Sequence, residues 1–188
     1  QPLSPHIHRA AFTLECVMSP LVSIRNLQKT YQRGPEKVEV LHGIDLDIPR
    51  GDFVALMGPS GSGKSTCMNV IGCLDTPTQG RYTLAGLEVT ALDADARALL
   101  RRYVIGFVFQ GFHLLPRLTA LENVELPLLY QGVKAAERRA HAQAALAQVG
   151  LSGREGHRPS ELSGGQQQRV AIARAIVTRP QLLLCVLG

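Results

Sequence analysis

The stretch Gly58-Pro59-Ser60-Gly61-Ser62-Gly63-Lys64-Ser65-Thr66 decides the fold of this chain. It follows an apolar run, residues 53–57, which predicts a buried strand, and it precedes residues 67–71, which predict a helix. Glycines allow backbone angles that other residues resist, so successive N–H groups can converge on phosphate oxygens. A strand, a glycine-rich loop, a lysine, a hydroxyl and a helix in this order are the pattern of a P-loop.

The loop supplies several different contacts for a triphosphate. The positive end of the following helix attracts an anion, Lys64 reaches the terminal phosphates, and the Ser65 hydroxyl is suited to a magnesium ion. A glycine-serine turn that merely joins two elements is the alternative, and the flanking strand and helix favour the nucleotide. The predicted nucleotide-binding residues are Gly58, Ser60, Gly61, Ser62, Gly63, Lys64, Ser65 and Thr66.

The composition is that of a globular protein with one domain, or with a core and a small subdomain. Of the 188 residues, 45% are hydrophobic and 19% charged, which allows a sizeable core. The net charge of +5 raises the question of a nucleic-acid partner. However, the basic residues are scattered, as at Arg97 and Arg138, and the few aromatics do not interleave with them. A solvated basic surface without a nucleic-acid partner is therefore the favoured interpretation.

The cysteine pattern favours a reducing compartment over a disulfide scaffold. No stretch reaches the roughly 20 apolar residues that span a bilayer. Residues 1–18 are predicted to be a flexible or non-native extension, with Met18 a candidate initiator, and residues 19–188 form the domain. Cys16, Cys67, Cys73 and Cys185 show no CxxC pairing, and Cys67 and Cys185 lie in apolar segments typical of buried thiols.

Short strands before the P-loop predict an antiparallel β portion. Alternating runs cover residues 21–27, 38–41 and 44–48, with a break expected at His42-Gly43 between the second and the third, and residues 81–84 predict another short strand after the P-loop helix.

The rest of the chain mixes helices with two buried strands. The predicted elements are helices over residues 93–102, from Thr119, over 134–149 and over 163–177, and strands over 105–109 and 181–187. Thr119 and Glu122 have the spacing of a capping box, and Gly150 is predicted to end the helix over residues 134–149. The segment of about 111–162 carries no strand signal, so a helical subdomain set into an α/β core is expected.

A second helix start lies at Leu162-Ser163-Gly164-Gly165-Gln166. Its small residues expose amides, and Ser163 adds a hydroxyl, so it suits an anion. Taken alone, an N-cap followed by flexible glycines is an equally good interpretation.

In combination these motifs resemble the nucleotide-binding domain of ABC transporters. The P-loop, a glutamine (Gln110) after a buried strand, and the run Leu-Ser-Gly-Gly-Gln-Gln-Gln-Arg at 162–169 occur in that family's order, and the resemblance extends from Met18 to Cys185. Residues 71–75 and 109–116 look like the MacB type of exporter and the related LolD type that releases lipoproteins. The resemblance implies an α/β P-loop NTPase core with an antiparallel β portion and an inserted helical subdomain, incomplete at the C-terminus.

The resemblance also assigns roles to residues. Tyr31 falls where the family stacks an aromatic on adenine, although a lone tyrosine near a strand end more often only packs. Gln110 matches the glutamine that contacts magnesium and the attacking water. Ser163, Gly164, Gly165 and Gln166 match the signature that binds the γ-phosphate held by an opposing protomer. The implied cofactors are ATP and Mg²⁺, with Lys64 and Gln110 catalytic and with Ser65 and Gln110 at the metal.

The same resemblance implies partners and a location. A second nucleotide-binding domain joins head to tail, and the helical segment after Gln110 faces a membrane-spanning permease. The domain is then expected at the cytoplasmic face of the inner membrane as a peripheral subunit. DNA-repair and chromosome-organising ATPases share both motifs, but they separate them by long coiled coils, and no sustained heptads occur here.

One motif departs from the family. Four apolar residues before an Asp-Glu-Pro sequence are expected, and here residues 182–185 are followed by Val186, Leu187 and Gly188. Without these acids the metal is held by Ser65 and Gln110 alone and no carboxylate orients the water. The chain as given is therefore expected to bind ATP weakly and hydrolyse it negligibly. A degenerate, non-hydrolysing partner subunit is the alternative function.

Overall fold

The computed structural model describes residues 19–186. The predictions about residues 1–18, including Met18 and Cys16, and about Leu187 and Gly188 lie outside the described residues. The chain divides into two compact units. The first contains the described residues up to Ser62 together with 77–91, and the second contains residues 63–76 and those from Leu92 onward.

The first unit is an antiparallel sheet with the strand order β2-β1-β3-β4. Its strands are β1 (Val22–Arg33), β2 (Glu36–Ile48), β3 (Gln79–Leu84) and β4 (Leu87–Glu88). Alternating residues of β1 point inward, and Val22, Ile24 and Leu27 are fully buried together with Tyr82 of β3. The predicted antiparallel β portion is confirmed.

The expected break at His42-Gly43 is wrong, because β2 continues through it. Leu27 pairs with Ile44 and Gln28 pairs with His42, so Gly43 is an extra residue on β2, that is, a bulge. Gly43 has a positive φ of 77°, and a Cβ there would lie 2.7 Å from Asn26 Oδ1. Only glycine meets both conditions without strain.

The buried strand predicted for residues 53–57 is also wrong. These residues form no strand, and Phe53 and Met57 are 94% and 86% exposed. The physical reason is that a strand requires a hydrogen-bonded neighbour, and within residues 19–186 neither sheet includes this run. The apolar composition of residues 53–57 was therefore not sufficient to predict a strand.

The second unit combines five helices with a parallel strand pair, counted over its described residues. They are α1 (Lys64–Ile71), α2 (Ala94–Tyr103), β5 (Ile105–Phe109), α3 (Ala120–Tyr130), α4 (Ala135–Gln148), a 3-10 turn (Pro159–Glu161), α5 (Gly164–Ile176) and β6 (Leu182–Val186). Each helix lies within a few residues of its prediction. Asp93 caps α2, the capping box of Thr119 and Glu122 opens α3, and Gly150, at φ 72°, follows α4.

Helices α3, α4 and α5 share one apolar core. Their inward residues form a single cluster with Leu151 and Leu162, and Val124, Leu146 and Val170 are completely buried. The predicted segment 111–162 contains α3, α4 and the 3-10 turn. Its bounds as a separate subdomain remain a prediction.

Two glycines show how closely helices cover the β5–β6 pair. A Cβ on Gly72, just after α1, would lie 2.6 Å from the Phe107 ring, and one on Gly106 would lie 2.5 Å from the carbonyl oxygen of Ala175 in α5. Gly106 and Phe107 are neighbours on β5, so they face opposite sides of the pair. The end of α1 therefore packs on one side and α5 on the other, an α/β/α arrangement.

The alternation of β6 also corrects one cysteine prediction. Leu182 and Leu184 are buried, whereas Leu183 and Cys185 are exposed. Cys67 is buried as predicted, but Cys185 is not, because it lies on the same side of β6 as Leu183. Within residues 19–186 no helix combines the length and the hydropathy that crossing a membrane requires.

Candidate nucleotide-binding site

The P-loop turns on two glycines in left-handed conformations. Gly61 has φ 80° and Gly63 has φ 86°, and Gly63 is the N-cap of α1. The Ser62 N–H donates to the carbonyl oxygen of Pro59 (3.3 Å), and the Cys67 N–H donates to Gly63 (2.8 Å), which starts the helix. Left-handed angles are routine only for glycine, so these two positions explain the motif physically.

The N-terminus of α1 differs from those of α2, α3 and α5. Those three helices have side-chain caps from Asp93, Thr119 and Ser163, whereas α1 has none. Helix α4 also lacks a side-chain cap, but it has Glu137 in its first turn, and α1 has no acid there. The first amides of a helix need an acceptor, and the helix dipole favours a negative one. A phosphate group fits this terminus.

The polar residues of the loop are accessible. Gly58, Ser60, Gly61, Ser62 and Ser65 are exposed, and Gly63, Lys64 and Thr66 are half-buried. Within residues 19–186 no cluster of three His, Cys, Asp or Glu could hold a metal. The Ser65 hydroxyl and the Gln110 amide, which the sequence predicts at a metal, offer oxygen donors of the hard type that Mg²⁺ prefers.

Gln110 immediately follows β5, as predicted. Its side chain is exposed and makes no hydrogen bond within residues 19–186. The chain then turns sharply: the Phe112 N–H donates to Phe109 (3.0 Å), and the His113 N–H donates to Gly111 (2.6 Å). The His113 ring meets the Phe109 ring edge-on, with 5.2 Å between the centroids. Gln110 thus starts a tight, well-defined loop, and its amide is available to a ligand.

The signature segment forms the N-terminus of α5. The Ser163 hydroxyl accepts from the Gln166 N–H (3.3 Å), and the Gln166 amide oxygen accepts from the Ser163 N–H (2.8 Å), a complete capping box. The N-cap interpretation is therefore correct for the isolated chain. It does not exclude the anion interpretation, because the Ser163 hydroxyl keeps its own proton for donation. Gly164 and Gly165 have open space above them.

Tyr31 lies in β1 and is half-buried. The Lys29 ammonium lies 4.8 Å from the centroid of its ring, a cation–π contact that covers one face. Tyr31 and residues 58–62 belong to the first unit, whereas residues 63–66, Gln110 and residues 163–166 belong to the second.

The second unit also contains a groove of about 520 Å³ between α2, β5, α3 and α5. Phe107, Leu126 and Tyr130 give it an apolar surface, and Arg101, Arg102 and Arg174 make it basic. Arg174 also binds the loop after Gln110 through two carbonyl oxygens. Arg174 was not predicted from the sequence; the available signal was a single charge within the otherwise apolar run of residues 170–177.

A P-loop, a glutamine at the carboxyl end of a parallel strand and a second glycine-rich helix start occur together on this α/β chain, the combination that resembles the nucleotide-binding domain of ABC transporters. This chain belongs to the ABC transporter family, whose family model, described as "ABC transporter", matches residues 41–185. The resemblance inferred from the motifs is confirmed.

The relatives are similar over most of this chain. The uncharacterized ABC transporter ATP-binding protein YknY of Bacillus subtilis is 56% identical over 164 residues, which are 87% of this chain and 71% of that protein. The macrolide export ATP-binding/permease protein MacB of Brucella melitensis is 57% identical over 166 residues, which are 88% of this chain and 26% of that protein. This chain thus spans about a quarter of the MacB relative.

Solved structures confirm the fold class. The ATP-binding cassette MJ0796, in a dimeric post-hydrolysis state bound to ADP and Pi, is 48% identical with a TM-score of 0.80. The match covers 87% of this chain and 72% of that chain.

Proposed function

We propose that this chain is the energy-supplying subunit or domain of an exporter, in which ATP and Mg²⁺ binding drives transport by a separate membrane-spanning part. The observation that carries the proposal is the uncapped N-terminus of α1, preceded by two left-handed glycines and beginning with Lys64. The names of relatives support the exporter type, since MacB is a macrolide export protein and PvdT of Pseudomonas fluorescens is a pyoverdine export protein.

Each P-loop residue has a role in this proposal. The amides of residues 60–66 and the Lys64 ammonium hold the phosphates, and the Tyr31 ring stacks on adenine. Ser65 and Gln110 supply oxygens to Mg²⁺, which neutralises phosphate charge when it is bound. Gln110 also orients the attacking water, because its amide is exposed and has no partner within residues 19–186.

The signature completes the site of a second copy. In the proposed head-to-tail dimer, the Ser163 hydroxyl and the amides of Gly164, Gly165 and Gln166 contact the γ-phosphate held by the partner's P-loop. The dimeric form of the similar cassette MJ0796 supports this arrangement. One chain then supplies two half-sites, and neither is complete until two chains meet.

The permease partner is proposed to dock at the groove of the second unit. The groove follows Gln110 in the chain, and its apolar surface with basic residues suits an amphipathic helix of a membrane subunit. Tyr130, which is 65% exposed, gives this surface a large aromatic anchor. The domain then lies at the cytoplasmic face of the inner membrane.

Hydrolysis by the chain as given is proposed to be negligible, because Val186 and Leu187 occupy the positions of the two acids. The same observation favours a second candidate, a non-hydrolysing partner subunit. ATP binding and ATP turnover, measured on the same sample, test whether the chain hydrolyses the nucleotide that it binds. ATP uptake without turnover supports negligible hydrolysis, and turnover at rates typical of transporter ATPases contradicts it.

The binding proposal is tested with Lys64→Ala. Removal of the ammonium is expected to weaken ATP·Mg²⁺ binding at least tenfold, since a charge-assisted contact to phosphate contributes about 1.5–3 kcal/mol. Calorimetric titration of the full chain measures the change. The control is Lys134→Ala, which removes the same charge from an exposed lysine before α4. Equal affinities for the wild type and Lys64→Ala contradict the proposal.

A further inference from the structure

The loop after Gln110 is held in a conformation that it would not adopt by itself. Phe112 and His113 have φ values of 57° and 45°, two consecutive left-handed residues that are not glycine. Such residues are uncommon, and they persist where surrounding contacts impose the geometry.

One anchor comes from α5. Nη1 of Arg174 donates to the carbonyl oxygen of His113 (2.7 Å), and Nη2 donates to that of Phe112 (2.8 Å). The planar guanidinium fork therefore binds the two left-handed residues, one with each nitrogen. A lysine ammonium lacks this two-pronged geometry.

Arg174 has no other described contact that accounts for its position. Burial lowers the pKa of its guanidinium, and within residues 19–186 it makes no ion pair with a carboxylate. It lies in the last turn of α5, where a cation is ordinarily placed to bind that helix's own final carbonyls. Its hydrogen bonds go to the loop instead, 61 and 62 residues away in sequence.

A second anchor holds the far end of the loop. Asn123 of α3 is fully buried. Its Oδ1 accepts from the Leu115 N–H (2.8 Å), and its Nδ2 donates to Leu115, Leu118 and Thr119. Asn123 thus holds the loop at Leu115, and Arg174 is the side chain from another helix that holds it closest to Gln110.

We infer that Arg174 is a positioning residue: it holds the loop so that the Gln110 amide reaches the Mg²⁺ of bound ATP. This inference rests on the proposed role of Gln110.

The test separates the Mg²⁺-dependent part of ATP binding from the rest. The affinity of the full chain for a fluorescent ATP analogue is measured with Mg²⁺ and with EDTA. Arg174→Ala is expected to reduce the Mg²⁺ enhancement about tenfold, the lower end of what residues that orient a metal ligand contribute, and to leave the EDTA affinity unchanged. Arg174→Lys, which reaches one carbonyl, should give an intermediate value.

Two further variants distinguish positioning from general damage. Arg138→Ala is the matched control, because Arg138 is also partly buried and donates to a carbonyl, that of Val133, outside this loop. It should leave the Mg²⁺ enhancement unchanged. Combining Arg174→Ala with Gln110→Ala should cause no loss beyond that of Gln110→Ala alone. Additive losses, or an equal loss in EDTA, overturn the inference.

Amide hydrogen exchange supplies a test without nucleotide. Arg174→Ala, or Arg174→Lys if the alanine variant does not fold, should speed exchange at Phe112, His113 and Leu115 while α5 stays protected. Unchanged exchange in the loop overturns the inference. If the wild type takes up no nucleotide, the proposed function fails, and exchange alone decides whether Arg174 holds the loop.

Discussion

Gly106 shows what a single missing side chain does in this molecule. It lies in β5 beneath α5, where a Cβ would come within 2.5 Å of the Ala175 carbonyl oxygen and 2.9 Å of Pro180 Cγ. Its φ is not in the left-handed region, so the requirement for glycine is one of space rather than of conformation. The close approach of helix and strand depends on this residue.

Gly106→Ala is therefore expected to destabilise the chain. A backbone atom must shift to admit the methyl group, and overpacking of this kind costs about 1–3 kcal/mol. Urea denaturation measures the loss. Gly156→Ala is the control, because a Cβ there meets nothing within 4 Å, and it should be neutral or slightly stabilising. Equal stabilities of the two variants would show that α5 and β5 separate readily.

Among the helices, α3 has its start fixed by reciprocal hydrogen bonds. Glu122 Oε2 accepts from the backbone N–H of Thr119 (2.8 Å) and from its hydroxyl (3.0 Å), and Thr119 Oγ1 accepts from the Glu122 N–H (3.2 Å). The backbone hydrogen bond from Thr119, followed by the one from its hydroxyl, lowers the pKa of Glu122 below its ordinary value of 4.5. The carboxylate form is thus favoured by folding.

The sign of the resulting pH dependence follows from this direction. A carboxyl group with a lowered pKa in the folded state stabilises the protein above its ordinary pKa, and the contribution is lost as the pH falls through the folded value. Wild-type Tm should therefore fall more steeply below about pH 4.5 than that of Glu122→Gln. Glu137→Gln, at the start of α4, where no side-chain cap is formed, should follow the wild type. Parallel curves for all three would contradict the prediction.

The helices were predictable because their signals are local. Thr119 and Glu122 are three residues apart, and Gly150 ends α4 by its own conformation, so neighbouring residues contain the information. Residues 53–57 were not predictable in this way, because an apolar run becomes a strand only beside another strand. Gly43 was misjudged for the same reason: its bulge is defined by Asn26 on the neighbouring strand.

The residues of the candidate site show the same difference between local signals, which the sequence reveals, and distant contacts, which it does not. The P-loop and signature residues were predicted because helix starts with glycines and hydroxyls are short motifs. Arg174 was missed, since its partners Phe112 and His113 lie about sixty residues earlier. Sequence spacing identifies groups that contact a ligand more readily than groups that hold those groups in place.

At the scale of the whole molecule, the proposed function requires two copies. Mg²⁺ and ATP should convert the chain to a dimer, measured as a doubled mass by light scattering. Ser163→Asp tests the interface, because aspartate keeps the N-cap acceptor of α5 but adds a negative charge that repels the γ-phosphate. We expect it to bind ATP like the wild type and to dimerise at least tenfold less tightly.

The neutral cap Ser163→Asn is the matched control for this charge. Asparagine also caps helices well and offers donors rather than a charge, so dimerisation should be weakened less than by aspartate. If the two variants dimerise equally, or if the wild type remains a monomer while saturated with nucleotide, the head-to-tail arrangement is excluded.

The exposed run at residues 53–57 has a consequence for how copies of this chain behave in solution. Phe53 and Met57 present bare hydrocarbon to water, and adhesion between such surfaces is opposed by the mutual repulsion of molecules carrying +5 each. That repulsion reaches about 30 Å at 0.01 M salt and only about 3 Å at 1 M. Colloidal stability therefore depends on ionic strength. Concentrated salt screens the repulsion and allows the exposed apolar residues of different molecules to come into contact.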